Sequence, residues 1–269
     1  MRKRMFLAFM VAVFLMAGGL VWFSRTGHLK TSHHPEVPVK PALSNQKEGW
    51  GFLKSENGET PQITQHQWEL VNKYKAIFVG DRSKKTVYLT FDLGYEKEGH
   101  TPRILDILKK HKVKAAFFVT SHYLETHPDL AERIVKEGHI LGNHSWSHQS
   151  LPTLNDDQIE EEIENWWDLG KKAGEKHKFF RPPMGEYSER TLKKTNDRGH
   201  RTVFWSIALV DWVPMGDSQM AVDGVINHLH NGAVILLHGV STDVLSRLED
   251  ILNGVKAKGY RFGTLTEIK

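Results

Sequence analysis

Short apolar runs alternate with helical stretches over most of the chain, and this alternation constrains the fold more than any other feature. Strand-like runs, rich in branched and aromatic residues, lie at 87–91, 115–119, 139–142, 178–181, 202–206, 233–237 and 261–263. Stretches with helical periodicity lie between them at 102–111, 128–137, 155–173, 189–198, 219–230 and 243–258. Proline opens two of these helices and glycine follows three, as helix ends favour.

Strict alternation of strand and helix predicts an α/β fold with a parallel sheet, because each crossover helix returns the chain to the same end of the sheet. Seven such repeats in about 180 residues predict a distorted parallel β/α barrel of about seven strands. This barrel would be smaller than the usual eight-unit one. A doubly wound open sheet is the alternative.

The residues before the barrel predict a leader, a linker and a collar. Residues 1–23 join a basic start to an uncharged, mainly apolar run, which is typical of a signal peptide or a membrane anchor. The length of this run favours an uncleaved anchor. Residues 24–47 are polar, contain three prolines and indicate an extended linker. Residues 48–85 form an N-terminal collar, and 86–269 form the main domain.

Charge and cysteine content exclude several classes of protein. The formal net charge is +4, and Arg2, Lys3, Arg4 and Arg25 account for it. The rest of the chain is therefore balanced, which argues against binding to nucleic acid. The chain has no cysteine, so neither disulfides nor thiolate metal sites can form.

Polar residues follow five of the predicted strands directly, at 90–94, 144–148, 181–185, 211–212 and 236–238. Because the carboxyl ends of parallel strands share one face of a barrel, we expect these segments to converge on one cleft. Each alone has an ordinary explanation, such as a turn-capping aspartate, a surface histidine or a solvated arginine. These ordinary explanations do not account for five such segments that all lie at strand ends. His144 and His148 can both reach one metal ion if their loop turns helically.

The ordered set resembles the polysaccharide deacetylase family, the family-four carbohydrate esterases. The motifs of that family are Thr-Phe-Asp-Asp-Gly, His-(Ser/Thr)-x-x-His, Arg-x-Pro-x-Gly, Asp-Trp and Leu-x-His. The sequence has TFDLG, HSWSH, RPPMG, VDW and LLH in the same order. The resemblance implies that residues 86–269 are a catalytic domain that hydrolyses acetamido groups of N-acetylated sugars.

By this resemblance, four residues perform acid and base catalysis. Asp92 is the base that deprotonates the attacking water, and Arg181 orients it. His238 is the acid for the leaving amine, and Asp211 raises the pKa of His238 and orients its ring. The resemblance further implies a substrate pocket formed by Trp212, Leu236, Pro183 and Gly185.

The resemblance also implies a divalent metal, with zinc expected, held by His144 and His148. The ion would polarise the acetyl carbonyl and the water. The third ligand of the family is its second aspartate, and Leu93 stands at that position here. Leucine cannot coordinate a metal, so we expect a weak site with more open positions.

Other segments resemble one bacterial branch of the family, the peptidoglycan N-acetylmuramic acid deacetylases that prepare the muramic δ-lactam of spore cortex. They are Trp50-Gly51-Phe52, the Gly-Tyr-Glu after TFDL, and Val203-Phe204-Trp205-Ser206 before the VDW motif. In that branch asparagine usually replaces the second aspartate. The branch implies glycan strands of peptidoglycan as partner. It implies a location on the extracellular face of the cytoplasmic membrane, or secretion to the cell wall, with membrane contact if residues 1–23 are uncleaved.

Three alternative functions stay open at this point. A wall-binding pseudoenzyme would have lost its metal with Leu93, although binding alone needs no acid and base. A deacetylase of N-acetylglucosamine or chitooligosaccharides would share the same motifs. A barrel glycosidase would use Asp92 and Asp211 as its carboxylate pair, but it would leave His144, His148 and Arg181 without a role.

Overall fold

The computed structural model describes residues 43–54 and 57–269 of the 269-residue chain. The predicted leader at 1–23 lies outside the described residues, as does most of the predicted linker at 24–47. No helix within the described ranges is both long and apolar enough to cross a membrane.

Helices and strands alternate through most of the main domain as the sequence predicts, with two consecutive helices within 121–136 and two consecutive strands within 201–208. The helices are α1 (Gln65–Lys73), α2 (His100–His111), α3 (Ser121–Thr126), α4 (Pro128–Lys136), α5 (Asp156–Lys172), α6 (Glu189–Asp197), α7 (Gln219–Ile226) and α8 (Thr242–Ala257). The strands are β1 (Glu48–Gly49), β2 (Thr86–Leu93), β3 (Ala116–Val119), β4 (Ile140–Asn143), β5 (Phe179–Phe180), β6 (Glu186–Tyr187), β7 (Arg201–Thr202), β8 (Ile207–Ala208), β9 (Val234–His238) and β10 (Arg261–Gly263).

The main sheet is parallel throughout, with the strand order β7-β5-β4-β3-β2-β9-β8. Strand β10 pairs in parallel with the first three residues of β2. The two outermost strands, β7 and β8, are consecutive in the chain and only residues 203–206 separate them. The sheet therefore curls into a half-barrel, which confirms the predicted distorted β/α barrel over the open doubly wound alternative.

Side chains on the two faces of the sheet enter two different apolar clusters. In β2, Val87, Leu89, Phe91 and Leu93 join the large cluster between the sheet and the helices. Tyr88 belongs instead to the smaller cluster inside the curl. Alternation with a period of two residues thus sorts the strand, and it turns the intervening polar residues toward the inside of the half-barrel.

The predicted strand at 202–206 is wrong in its extent. Thr202 ends β7, residues 203–206 lie between β7 and β8, and these two short strands pair with different neighbours. The cause is competition for backbone groups. The carbonyl oxygens of Val203 and Phe204 accept hydrogen bonds from the Arg181 side chain, and that of Trp205 accepts one from Trp50 Nε1. Side chains therefore occupy positions that a neighbouring strand would otherwise fill.

Residues upstream of the barrel pack under one of the cleft loops. Strand β1 pairs antiparallel with β6, and the Trp50 ring stacks on Phe204 with centroids 4.0 Å apart. Gly185 has a φ of +68°, and a Cβ there would lie 2.8 Å from Trp205 Cη2 and 3.2 Å from Trp50 Cβ. Glycine is therefore required where this collar meets the cleft.

Candidate active site

Asp92 is the next-to-last residue of β2, on the inner side of the half-barrel, and is buried. Its Oδ1 accepts a hydrogen bond of 2.7 Å from Arg181 Nη1, which also donates to Thr90 Oγ1. Burial disfavours the charged carboxylate, but the positive charge of Arg181, with smaller effects of His144 and His238, outweighs it and lowers the pKa of Asp92. Asp92 is therefore ionised at neutral pH, as a general base must be.

His238 ends β9 and is paired in register with Asp92 on the neighbouring strand. Its Nδ1 lies 2.7 Å from Asp211 Oδ1, and its backbone N–H donates to Asp211 Oδ2 at 2.9 Å. Burial alone would lower the pKa of His238, but the hydrogen bond to Asp211 and the negative charges of Asp92 and Asp211 raise it above its ordinary value. An imidazolium whose Nδ1 proton is bound to Asp211 keeps Nε2 as the proton donor.

The rings of His144 and His148 come together on the loop that follows β4. Their centroids lie 4.9 Å apart, with the ring planes at 75°. The helical turn that would let both histidines of the motif reach one ion is absent from this loop. Left-handed backbone at Ser145, with φ of 71°, and at His148, with φ of 58°, brings the rings together instead.

The two imidazoles fit a divalent cation as donors. His144 Nδ1 donates to the backbone oxygen of Arg181 at 2.9 Å, so Nε2 presents its lone pair. Nε2 lies 3.5 Å from Asp92 Oδ2. Burial lowers the pKa of His144 to about 4, and desolvation also lowers that of His148. Both rings are therefore neutral at neutral pH, the form that binds metals.

Leu93 does not complete this set of donors. Its side chain is fully buried in the apolar cluster on the helix-facing side of β2, opposite to Asp92. It packs so tightly beside Gly239 that a Cβ on that glycine would lie 2.3 Å from Leu93 Cδ2. Among the described residues, no three His, Asp or Glu side chains are grouped so as to hold a metal ion. The donor set for a cation is thus incomplete.

These groups open into a cavity of about 850 Å³. Asp92, His144, His148 and His238 line it together. Of the residues expected to shape a substrate pocket, Trp212, Leu236 and Gly185 also line the cavity. Pro183 is buried and is not among the lining residues, and Met184 lines the cavity beside Gly185. Further lining residues are Gly94, Tyr95, Thr120, His122, Trp146, Ser147, Trp205 and Val240.

Comparison with known proteins decides the family. Residues 79–203 match the family described as Polysaccharide deacetylase. The chain is 41% identical over 231 residues to the peptidoglycan-N-acetylmuramic acid deacetylase PdaA of Bacillus subtilis, across 84% of this chain and 88% of that protein. The solved structure of PdaA, a family 4 carbohydrate esterase, aligns with a TM-score of 0.80 over 84% of this chain and 98% of that one. The chain belongs to the polysaccharide deacetylase family.

Two further relatives mark the range of this family. A peptidoglycan-N-acetylglucosamine deacetylase of Bacillus cereus is 38% identical over 200 residues, which are 72% of each protein. A family 4 carbohydrate esterase pseudoenzyme of Bacillus anthracis is 31% identical, with a TM-score of 0.68 over 72% of this chain and 68% of that chain. The resemblance inferred from the sequence is confirmed. This chain is therefore a hydrolase that acts on amide bonds, and its family is generally metal-dependent.

Sequence reasoning missed two residues behind the cleft, Asn143 and Glu162. Asn143 ends β4 and accepts a hydrogen bond from the Ser145 N–H. Glu162 lies in α5 and binds the loop through Ser147. A signal for Glu162 does exist, because it is an acidic residue on the apolar face of a predicted helix, next to Ile163.

Proposed function

We propose that the protein is an exported peptidoglycan de-N-acetylase acting on N-acetylmuramic acid, in the formation of muramic δ-lactam. The observation that carries the deacetylase chemistry is the pairing in register of Asp92 and His238, which line one cavity and have pKa values moved in opposite directions. Similarity to PdaA supports the muramic acid substrate.

The reaction follows from the protonation states of the cleft. Asp92 takes a proton from a water molecule as the oxygen of that water attacks the acetyl carbon. His238 Nε2 then gives its proton to the amide nitrogen as the C–N bond breaks, leaving a free amine and acetic acid. Asp211 stabilises the imidazolium before this transfer, and Arg181 holds Asp92 toward the cavity. Proton exchange with solvent restores both groups and ionises the acetic acid.

We propose that His144 and His148 hold a divalent ion, with zinc as the expected metal. When bound, such an ion would polarise the acetyl carbonyl and acidify the attacking water. With Leu93 in place of an anionic ligand, the affinity rests on two neutral imidazoles and on anions or water from solution.

Deacetylation of N-acetylglucosamine is the second candidate. Among the residues that line the cavity there is no Lys or Arg to bind the lactyl carboxylate that distinguishes muramic acid. The Bacillus cereus relative named for N-acetylglucosamine adds support. Tandem mass spectrometry of muropeptides after incubation with the protein separates the two. We expect the new amine on muramic acid. A new amine on glucosamine alone would reject N-acetylmuramic acid as the substrate.

Export is a further part of the proposal, supported by the basic start and apolar run of residues 1–23. We expect the main domain to lie outside the cytoplasmic membrane, anchored there or released to the wall. Protease added to intact protoplasts should remove any domain that stays anchored, and a domain released to the wall should be found in the medium. A domain that stays with the protoplasts, fully protected, would contradict this topology.

A further inference from the structure

Helix α5 runs behind the loop that carries His144 and His148, and one of its acidic residues contacts that loop. Glu162 Oε2 accepts a hydrogen bond of 2.9 Å from the Ser147 N–H, and Oε1 accepts one from the Ser147 hydroxyl. The backbone oxygen of Glu162 accepts a third, at 3.0 Å, from the Trp146 N–H. A single residue of the helix thus binds two consecutive residues of the loop, directly before His148.

Burial of the Glu162 carboxylate is unfavourable for folding unless hydrogen bonds to the loop offset it. Its side chain is buried, with 6% of its surface exposed, on the helix face that also carries Ile159 and Ile163. Within the described part of the chain it forms no ion pair with a basic side chain. A buried carboxylate without a cationic partner is unfavourable unless its lone pairs are used. Here the donors are the Ser147 N–H and hydroxyl.

The loop itself is strained at two non-glycine residues. Ser145 and His148 both adopt left-handed backbone, which is unfavourable for L-residues and persists only where surrounding contacts impose it. Asn143 Oδ1 accepts from the Ser145 N–H at 2.8 Å, and Ser145 Oγ accepts from the His148 N–H at 3.0 Å. Both of these bonds lie within residues 143–148. The bonds to Glu162 tie the loop to a separate element.

We infer that Glu162 is a positioning residue, which acts through Ser147 to hold the ring of His148 against that of His144. The inference rests on the proposed function and adds α5 to the machinery of the site. The position of the His148 ring is important because Leu93 supplies no ligand. With two imidazoles and no carboxylate ligand at that position, a displaced ring has no third ligand among the described residues to compensate for it.

The test compares Glu162→Ala and Glu162→Gln with Glu161→Ala and Glu161→Gln in the full-length protein. Glu161 is the exposed neighbour on the same helix, so it controls for the loss of an acidic side chain. We expect Glu162→Ala to weaken zinc binding in calorimetric titration, and to lower kcat/KM for acetate release, by about 10–100-fold. Glu162→Gln should lose less, because its amide can still accept from the Ser147 N–H and donate to the hydroxyl. The Glu161 variants should match wild type.

Nuclear magnetic resonance of the metal-free protein gives a readout that stability alone does not move. The imidazole signals of His148 should shift in folded Glu162→Ala and stay in place in Glu161→Ala. Wild-type zinc affinity together with unshifted His148 signals in folded Glu162→Ala would overturn the inference. If that variant does not fold, Ser147→Ala removes only the hydroxyl partner and should move the same signals less, and unshifted signals there would also overturn it.

Failure of the proposed function can be told apart from failure of this inference. If the wild-type protein releases no acetate from peptidoglycan, the proposed function is wrong. The metal-free spectra of the Glu162 and Glu161 variants still decide whether Glu162 positions His148.

Discussion

Asp92 and His238 lie on neighbouring strands, yet their surroundings move their pKa values in opposite directions. Arg181 lowers the pKa of the aspartate, and Asp211 raises that of the histidine. The active form needs Asp92 ionised and His238 protonated, so it persists from above the lowered pKa to below the raised one. The two shifts therefore widen the pH range of activity on both sides.

Asp211→Asn tests the alkaline side of this range. The variant keeps the shape of the side chain but removes the charge that favours the imidazolium, so the pKa of His238 should fall. The alkaline limb of the kcat/KM profile should then move to lower pH by about one unit or more. The matched control is Asp223→Asn at an exposed site in α7. An alkaline limb at the wild-type position in Asp211→Asn would contradict the assignment of His238 as the acid.

Leu93→Asp tests whether Leu93 leaves the metal site without its third ligand. Leu93→Asn is the uncharged control, because asparagine and aspartate are similar in size. Without metal, the new carboxylate replaces a fully buried side chain, and we expect a loss of about 3 kcal/mol in the free energy of unfolding. Zinc should restore part of the Tm of Leu93→Asp, because a carboxylate gains by leaving the apolar cluster for a cation held by His144 and His148, and should restore less in Leu93→Asn. Thermal melts with and without zinc measure both effects. If zinc shifted the Tm of wild type and of Leu93→Asp equally, position 93 would not be where the third ligand is missing.

At the scale of elements, the collar and the carboxyl-end loops form one packed unit. The Trp50 N–H groups bind two of these loops, since the indole donates to the Trp205 oxygen and the backbone donates to the Gly185 oxygen. Trp205 and Gly185 both line the cavity. The collar therefore shapes the cleft although its own strand, β1, is only two residues long.

Trp50→Ala should destabilise the fold and impair the cleft together. Loss of the ring that stacks on Phe204 should cost about 3 kcal/mol, which lowers Tm by about 6–12 °C in a chain of this size. Trp50→Phe keeps an aromatic ring there and loses mainly the hydrogen bond to Trp205, so its loss should be about 1 kcal/mol. Thermal melts and kcat/KM of both variants test this. A wild-type kcat/KM in Trp50→Ala would show that the collar does not shape the cleft.

At the scale of the whole molecule, local patterns predicted the order of elements and the convergence of five motif segments. Alternation of strand and helix needs only local periodicity, and a parallel sheet then gathers its strand ends. Local patterns did not predict the division of residues 202–206, because the Arg181 and Trp50 side chains that bind their carbonyls are distant in sequence. The role of Glu162 was missed for a similar reason, since a loop outside its helix supplies its partners.

Release of acetate from peptidoglycan fragments tests the central claim most directly. The full-length protein is incubated with purified muropeptides, and free acetate is quantified beside the mass of each fragment. We predict one acetate for each amine formed with glycan chains of unchanged length, and a loss of about 10²–10⁴-fold in rate for Asp92→Asn. Fragments of unchanged mass with no acetate, or shortened chains with no acetate, would contradict the assignment of this cleft as a de-N-acetylase.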